Sequence, residues 1–407
     1  MADRSFSPFA ALRHRNFRLF WTGQAISLTG TWMQSLAQGW LVLQLTNSAF
    51  WVGFVSFVGS VPALLFSLPA GVHVDRADKR RVVMICQALF LLEAAVLTVL
   101  TALRAIEAWQ VALLAGLMGL ISSLEIPARQ AMIVELVGKE DLTNAIALNS
   151  SAFNASRIVG PAIAGVLIAR LGIAVCFGLN ALSYVAVLYG LYLLRMPPAS
   201  SPERIAHAFE RFREGIAYVR GERGVFALLL NTALLSFLAS PFLVLLPVFA
   251  RDVLRVGADG LGVMSAFVGL GAVGAALGLA ALAPYVHRGQ LLRRTGLLFG
   301  LSVALFGLVG WYSGALAALA LAGFGMILNN ALTNTLLQGL VPDALRGRVM
   351  SLWSLVFIGF APIGALGAGW LAERIGPSAA VAAGGLLSAA VSWWIWRRLA
   401  PQVAALR

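Results

Sequence analysis

Four charged side chains stand inside long apolar stretches of this sequence. They are Glu93, Glu125, Arg129 and Arg157. A charge in an apolar medium is costly unless it is paired or hydrated, so such residues are candidates for function. A carboxyl group in that setting can bind and release a proton. We therefore consider these four residues candidates for coupling to proton movement. For Glu93, a structural pair with Arg157 or a position at the lipid edge is an equal alternative.

The first apolar stretch carries a row of polar side chains. It consists of Gln24, Ser27, Thr31, Gln34 and Gln38, spaced three or four residues apart, which places all five on one helical face. Such a face cannot contact hydrocarbon cheaply, so it meets either a neighbouring helix or water. Polar residues in other apolar stretches add the candidates Ser122, Ser123, Asn231, Ser236, Asn329, Asn330 and Asn334.

The stretches that hold these residues have the length of membrane-spanning helices. The chain has 407 residues, of which 60% are hydrophobic and 12% are charged, whereas about a quarter of the residues of a soluble protein are charged. Crossing a bilayer takes about 20 apolar helical residues, and the stretches lack the alternation of barrel strands. The predicted fold class is an all-α membrane protein with twelve transmembrane helices. We place these spans at 17–45, 50–72, 82–103, 108–128, 142–169, 173–194, 225–249, 260–283, 291–312, 315–338, 347–374 and 378–397.

The basic residues define an orientation. The chain has 30 Lys and Arg against 17 Asp and Glu, a net charge of +13. If both termini are cytoplasmic, 24 cations fall in inner segments and 5 in outer segments, a strong positive-inside asymmetry. This predicts a multi-pass protein of the bacterial inner membrane with both termini in the cytoplasm. Cations dispersed over seven segments argue against a nucleic-acid partner.

The chain divides near its middle. Residues 196–224 form a long polar stretch between an N-terminal six-helix bundle, 1–195, and a C-terminal one, 225–407. Apolar residues at helical spacing in this linker indicate an amphipathic helix at the inner membrane surface. A plain spacer is favoured over a binding role for the linker. A shift of 204 residues superimposes Gly160 on Gly364 and Gly165 on Gly369, which indicates duplicated, pseudo-symmetric halves.

A basic loop motif follows the second span. The segment is Gly71-Val72-His73-Val74-Asp75-Arg76-Ala77-Asp78-Lys79-Arg80-Arg81. Glycine permits close approach of helices, and Asp75 can accept hydrogen bonds at a helix N-terminus. The segment resembles the signature of the major facilitator superfamily, with Asp78 where that pattern prefers glycine. The resemblance implies the major facilitator fold and a latch of Gly71, Asp75, Arg76 and Arg80 that docks on the eleventh span and closes the cytoplasmic side.

The role of the other basic residues in this loop stays open. Lys79, Arg80 and Arg81 either bridge to Glu125 or Glu135 or serve only to orient the chain in the membrane.

A glycine–proline pair interrupts the fifth span. Gly160-Pro161 is similar to the core of the antiporter signature of exporters, although Ala164 replaces one of its glycines. Proline kinks a helix and glycine allows close packing. Export is the favoured interpretation, and a packing kink without directional meaning is the alternative.

Further stretches resemble one branch of the superfamily. They are Phe17-Arg18-Leu19-Phe20-Trp21, Gly30-Thr31-Trp32-Met33-Gln34, Trp40-Leu41-Val42-Leu43 and Pro127-Ala128-Arg129-Gln130. They are similar to the enterobactin-exporter-like branch, which includes siderophore exporters and macrolide-efflux proteins. The resemblance implies that the first, fourth, seventh and tenth spans line the substrate cavity, and this favours water over helix contact for the polar row of the first span.

The predicted function is secondary active export of an amphipathic small molecule, siderophore or drug-like, by alternating access and proton antiport. The chain has no Gly-x-x-x-x-Gly-Lys-Ser/Thr segment for ATP and no Gly-x-Ser-x-Gly nucleophile elbow. The first span lacks the acidic residue of many drug–proton antiporters, which weakens the antiport assignment. The alternatives are an importer or uniporter of a small metabolite and, less favoured, a membrane enzyme. We expect no catalytic residue, metal or cofactor, and a monomer whose partners are its substrate, the bilayer and protons.

Overall fold

The computed structural model describes residues 9–74, 77–138, 140–194, 208–282 and 287–399, which contain helices and no strand. Contacts between Cα atoms divide the chain into two compact units. The first comprises Met1–Leu41 and Val61–Arg204, and the second comprises Val42–Ser60 and Ile205–Arg407.

The helices follow one another with short connections. In the first half of the chain they are α1 Arg15–Thr46, α2 Ala49–Val74, α3 Lys79–Ala102, α4 Ala108–Val137, α5 Leu142–Leu171 and α6 Ile173–Tyr192. In the second half they are α7 Ala208–Gly221, α8 Arg223–Leu238, α9 Phe242–Val248, α10 Gly257–Leu282, α11 Arg288–Leu308, α12 Tyr312–Leu340, α13 Asp343–Ile375 and α14 Pro377–Trp394.

The prediction of an all-helical membrane protein is confirmed. Eleven segments of the described ranges are long and apolar enough to cross a membrane. The one predicted span outside these eleven is the first, α1. Its 32 residues are long enough to cross a membrane, but its polar row makes it less apolar than the other spans.

The seventh predicted span, 225–249, lies within one segment that is long and apolar enough to cross a membrane, Arg223–Val253. Its helix is interrupted, because the chain turns between α8 and α9 at 239–241. Pro241 lacks the N–H group that would bond the carbonyl of Phe237, which weakens the helix at this position. A wider helical turn, Phe249–Val253, extends α9.

The two halves share the turn that joins their last two helices. Gly172 ends α5 with φ 90°, and Gly376, which lies 204 residues later, ends α13 with φ 87°. Glycine adopts this left-handed conformation without the steric cost that a side chain would add. The repeat inferred from the sequence therefore extends to backbone conformation.

Glycines also allow close helix approaches in each unit. A Cβ atom on Gly160 of α5 would lie 2.6 Å from the carbonyl oxygen of Thr29 in α1. A Cβ atom on Gly364 of α13 would lie 2.1 Å from the carbonyl oxygen of Phe237 in α8. Since the two glycines are repeat equivalents, the same backbone contact recurs in both units.

The turn between α1 and α2 is held within the second unit. The guanidinium of Arg251 donates to the carbonyl oxygen of Leu43 and to Oδ1 of Asn47, each at 2.8 Å. Oε2 of Glu373 in α13 accepts hydrogen bonds from Oγ of Ser48 at 2.9 Å and from the backbone N–H of Phe50 at 3.2 Å. These bonds fix the start of α2, where free N–H groups favour an anion.

The linker helix α7 packs on the second unit. Val219 is buried and Ile216 is partly buried, both in an apolar cluster with Val349 of α13. Glu214 forms an ion pair with Arg348 of α13. The described part of α7 is therefore an amphipathic helix whose apolar side contacts protein.

A methyl group at the α8–α13 contact tests this packing. We expect Gly364→Ala to lower the unfolding temperature, because the added Cβ meets backbone and overpacking costs about 1–3 kcal/mol. The matched control is Gly367→Ala on the same helix, where a Cβ would meet nothing within 4 Å. Thermal unfolding of the purified proteins in detergent measures the difference, and equal midpoints for the two variants would contradict the contact.

Candidate functional site

A buried acid lies at the contact of α1, α3 and α6. Glu93 of α3 is 1% exposed. Nε2 of Gln34 in α1 donates to Oε2 of Glu93 at 2.9 Å and to its Oε1 at 3.2 Å. Nδ2 of Asn180 in α6 donates to Oε1 of Gln34 at 2.7 Å. The Gln34 amide is thus oriented by Asn180 so that its N–H groups point to the carboxyl group.

Two hydroxyl groups complete this cluster, which we call the Glu93 network: Glu93, Gln34, Asn180, Tyr184 and Thr31. The hydroxyl of Tyr184 lies 3.2 Å from Oγ1 of Thr31 and accepts from Nδ2 of Asn180 at 3.3 Å. Sequence reasoning missed Asn180 and Tyr184. The signal was an amide and a phenol one helical turn apart in an otherwise apolar span.

The Glu93 network contains a carboxyl group but no cation. Within the described ranges, the ion pairs involve other side chains. The predicted alternative of a Glu93–Arg157 pair is wrong, because Glu93 binds Gln34 and Arg157 lies over the ring of Trp32. Only neutral groups hold Glu93, and they can remain in place whether or not the carboxyl group carries a proton.

Glu125 of α4 is a second buried acid, and a cation on the same helix neutralises its charge. Nε of Arg129 donates to Oε1 of Glu125 at 2.9 Å, one turn away on α4, and Nε2 of Gln87 in α3 donates to the same oxygen at 3.3 Å. A buried pair of this kind is costly to break, since either partner alone would be an uncompensated charge. Glu125 and Arg129 thus form an ion pair within α4, and the hydrogen bond from Gln87 connects this pair to α3.

The polar row of α1 is largely covered. Gln24, Ser27, Gln34 and Gln38 are buried, and Thr31 is partly exposed. Gln34 hydrogen-bonds Glu93 of α3 and Asn180 of α6, and Thr31 lies within hydrogen-bond distance of Tyr184 of α6. Oε1 of Gln24 and Nε2 of Gln38 are buried without a partner among the described residues. Cavity lining by Gln24, Ser27 and Gln38 stays a prediction.

The candidates on α4 bond to their own helix. Oγ of Ser122 donates to the carbonyl oxygen of Met118 at 2.7 Å, and Oγ of Ser123 donates to that of Leu120 at 2.6 Å. Ser122 is partly exposed and Ser123 is buried. Their hydroxyl groups are therefore satisfied without a ligand.

The candidates of the second half separate into two groups. Asn231, Ser236 and Asn329 are buried, and Nδ2 of Asn329 lies 3.3 Å from Oγ1 of Thr295. Asn231 donates to Oδ1 of Asn329 at 3.5 Å, so Asn231, Asn329 and Thr295 connect helices α8, α12 and α11. Asn330 and Asn334 of α12 are partly exposed, and Asn334 accepts a hydrogen bond from Gln338 at 2.6 Å.

An exposed polar row lies on α5, which sequence reasoning missed. It consists of Thr143, Ser150, Asn154 and Arg157, at intervals of seven, four and three residues, and these side chains are exposed or, for Arg157, partly exposed. The spacing is the same kind of signal that marked α1. A polar face at membrane depth cannot contact acyl chains cheaply, so this face of α5 meets water.

Arg157 stands at the C-terminal end of this row, beside two aromatic rings. Its guanidinium carbon lies 5.6 Å from the centroid of the Trp32 ring, within the range of a cation–π contact. The ring of Phe153, one turn earlier on α5, meets the Trp32 ring edge-on with a centroid distance of 5.6 Å. Gly160 brings α1 and α5 together at this level, since its Cβ would lie 2.8 Å from Cβ of Trp32. Pro161 lies inside α5, which remains one helix.

The loop after α2 differs in part from the expected latch. Asp75 and Arg76 lie outside the described residues. A Cβ on Gly71 would meet nothing within 4 Å among the described atoms, and its role in a latch stays a prediction. Asp78 caps α3 by accepting from the N–H of Arg81 at 3.1 Å, which explains how the loop ends without the glycine of the general pattern.

The basic residues of the loop bind within the first unit. Lys79 pairs with Glu135 of α4, one of the two partners considered from the sequence. The guanidinium of Arg80 donates to the carbonyl oxygens of Leu191 at 2.9 Å and Tyr192 at 3.0 Å. These carbonyls lie at the end of α6, where the helix dipole favours a cation.

Comparison with known families identifies the chain. The model of a family described as "Transmembrane secretion effector", within the major facilitator superfamily, matches residues 6–405. The chain belongs to this family. The transmembrane secretion effectors are membrane transporters, so the predictions of the superfamily, its fold and a transporter rather than an enzyme are confirmed.

Relatives of this transmembrane secretion effector match along most of its length. The enterobactin exporter EntS of Escherichia coli O1:K1 is 27% identical over 402 residues, 96% of each chain. The staphyloferrin A transporter of Staphylococcus aureus is 27% identical over 352 residues, 86% of this chain and 87% of the relative. Among solved structures, a D-xylose–proton symporter matches with a TM-score of 0.75 at 12% identity, over 97% of this chain and 100% of the other, which shows the shared fold.

Removing the central amide tests the Glu93 network. We expect Gln34→Leu to lower the free energy of unfolding by about 2–4 kcal/mol, because it leaves Glu93 and Asn180 buried without their partner. The exposed neighbour Ser35 provides the control Ser35→Ala, expected within about 0.5 kcal/mol of wild type. Unfolding of the purified protein in detergent measures both. Combining Gln34→Leu with Glu93→Leu should recover part of the loss, and full additivity of the two changes would contradict their coupling.

Proposed function

We propose that this transporter exports a siderophore-like small molecule across the bacterial inner membrane in exchange for protons, with both termini in the cytoplasm. The cargo class is supported by two relatives named for siderophores, each matched over most of its length. The orientation is supported by the distribution of its cations, 24 on the proposed inner side and 5 on the outer.

The coupling to protons is supported by one observation above all, the buried Glu93 with neutral partners. A buried carboxyl group without a cation is costly to keep ionised, so it gains a proton whenever water reaches it from the acidic side. In the proposed cycle one proton binds to the carboxylate from the outer side and leaves to the inner side, while cargo moves outward. No other bond forms or breaks.

The position of Gln34 explains how protonation reaches α1. The amide of Gln34 binds both carboxyl oxygens of Glu93, and it lies on a helix that the family resemblance implies to be cavity-lining. A change in the charge of Glu93 alters the strength of these hydrogen bonds, since bonds to a charged acceptor are about twice as strong as neutral ones. Protonation therefore changes how firmly α1 is held to α3.

Everted membrane vesicles test the cargo and its direction. We expect vesicles containing the protein to accumulate a radiolabelled tris-catecholate or hydroxycarboxylate siderophore several-fold above vesicles without it, and a protonophore should abolish the difference. A macrolide serves as the drug-like comparison. Accumulation of the siderophore only in right-side-out vesicles would assign import instead, and accumulation insensitive to the protonophore would contradict proton coupling.

Replacement of the buried acid tests the coupling residue. Glu93→Gln retains a side chain of the same shape that can accept from Gln34 but cannot exchange a proton. We expect loss of transport driven by a pH gradient, while exchange of labelled for unlabelled siderophore continues. The matched control is Glu222→Gln, an exposed carboxyl group before α8 without a side-chain hydrogen bond to that helix. Gradient-driven transport by Glu93→Gln at the wild-type rate would assign the proton to another residue.

A further inference from the structure

Arg157 is a cation at membrane depth that has no anionic partner in the part of the chain that the structure describes. It lies near the midpoint of α5, a helix of 30 residues. Among the described residues its recorded interaction is with the ring of Trp32. A cation–π contact offsets part of the cost of such a charge, but it leaves the N–H groups of the guanidinium available.

The surroundings of Arg157 are accessible and suited to a ligand. Phe153 is 41% exposed. Asn154 is exposed beside it, and its Nδ2 donates to the carbonyl oxygen of Ser150 at 2.8 Å. Oδ1 of Asn154 can therefore accept a hydrogen bond from a ligand hydroxyl group.

The internal repeat shows whether the helix packing around Gly160 requires the charge of Arg157. Gly160 and its equivalent Gly364 make the same kind of backbone contact in the two units. The position equivalent to Arg157 is Ala361. Since the second unit builds the same contact without a cation, the charge of Arg157 is not required for the helix packing.

We propose that Arg157, Trp32, Phe153 and Asn154 form a binding site for an anionic aromatic group of the cargo, such as a carboxylated catechol. The assignment rests on the proposed function and adds the chemistry that its cargo must carry. The guanidinium pairs with the carboxylate, the exposed face of Phe153 stacks on the ring, and Oδ1 of Asn154 accepts a phenolic hydrogen bond.

Binding of two small probes to the purified full-length protein in lipid nanodiscs tests the site. The probes are 2,3-dihydroxybenzoate and its neutral amide, 2,3-dihydroxybenzamide, which share a ring and differ in charge. Equilibrium dialysis should show tighter binding of the benzoate to the wild type. Arg157→Gln should weaken benzoate binding about tenfold and leave amide binding within about twofold, since one charge-assisted interaction is lost. Arg157→Lys should restore part of the difference, because the charge is kept without the planar fork.

Variants around Arg157 separate recognition from structure. Phe153→Leu should weaken both probes to a similar degree, and Arg170→Gln, which removes an exposed cation from the last turn of the same helix, should change neither. The proposal is overturned if Arg157→Gln binds the benzoate like the wild type, or if it weakens both probes equally while Arg157→Lys does the same.

The outcome is distinguishable from failure of the proposed function, because dialysis requires neither a gradient nor a direction of transport. Charge-dependent binding at Arg157 together with absent siderophore export in vesicles would retain the site and reject the cargo. Siderophore export that persists unchanged in Arg157→Gln would reject the site and retain the function.

Discussion

The structure depends on the cost of a polar group that has neither a partner nor water at membrane depth. This constraint sorts the polar side chains of the first unit into two sets. Gln34, Asn180 and Glu93 are covered and bind one another. Ser150 and Asn154 lie on an exposed face of α5. A network of the first kind joins helices, whereas a face of the second kind has to meet an aqueous path, and function in a transporter requires both.

The duplication shows which features belong to the scaffold. Gly160 and Gly364 retain a close backbone approach between two helices, and Gly172 and Gly376 retain the left-handed turn. The charge of Arg157 is not repeated, because Ala361 stands at the equivalent position. Such a division is expected when two similar bundles have to pack alike but only one carries the groups that bind protons or cargo. The asymmetry thus places the candidate chemistry in the first half of the chain.

The sequence predicts the helices well because span length and apolar composition are local properties. It does not predict the break before α9, because a proline can lie inside a continuous helix, as Pro161 does in α5, or stand at a break, as Pro241 does before α9. It predicts the polar row of α1 but not its burial, because one helical face reveals nothing of what packs against it. Asn180 and Glu93 are 87 residues apart in the chain, and only the fold brings them to Gln34. The spacing of the exposed row on α5 is visible in the sequence. The row was missed because Arg157 was interpreted as a partner of Glu93.

Arg157 and Glu93 favour closure of the transporter in different states, Arg157 when anionic cargo is bound and Glu93 when a proton is bound. An anionic cargo on Arg157 makes the site neutral, and this removes much of the cost of closing protein around it. An empty site keeps its cation, and closing it is correspondingly costly. For Glu93 the neutral state is the protonated one, so closure is favoured when the proton is bound. In the proposed antiport cycle, each site closes in its neutral state, Arg157 with anionic cargo on the outward step and Glu93 with a proton on the inward step. A membrane potential that is negative inside drives both an anion outward and a proton inward, at about 2.3 kcal/mol per charge for each 100 mV. The membrane potential therefore drives both steps of an exporter that exchanges an anion for a proton. This coupling requires that the form with neither cargo nor proton does not close.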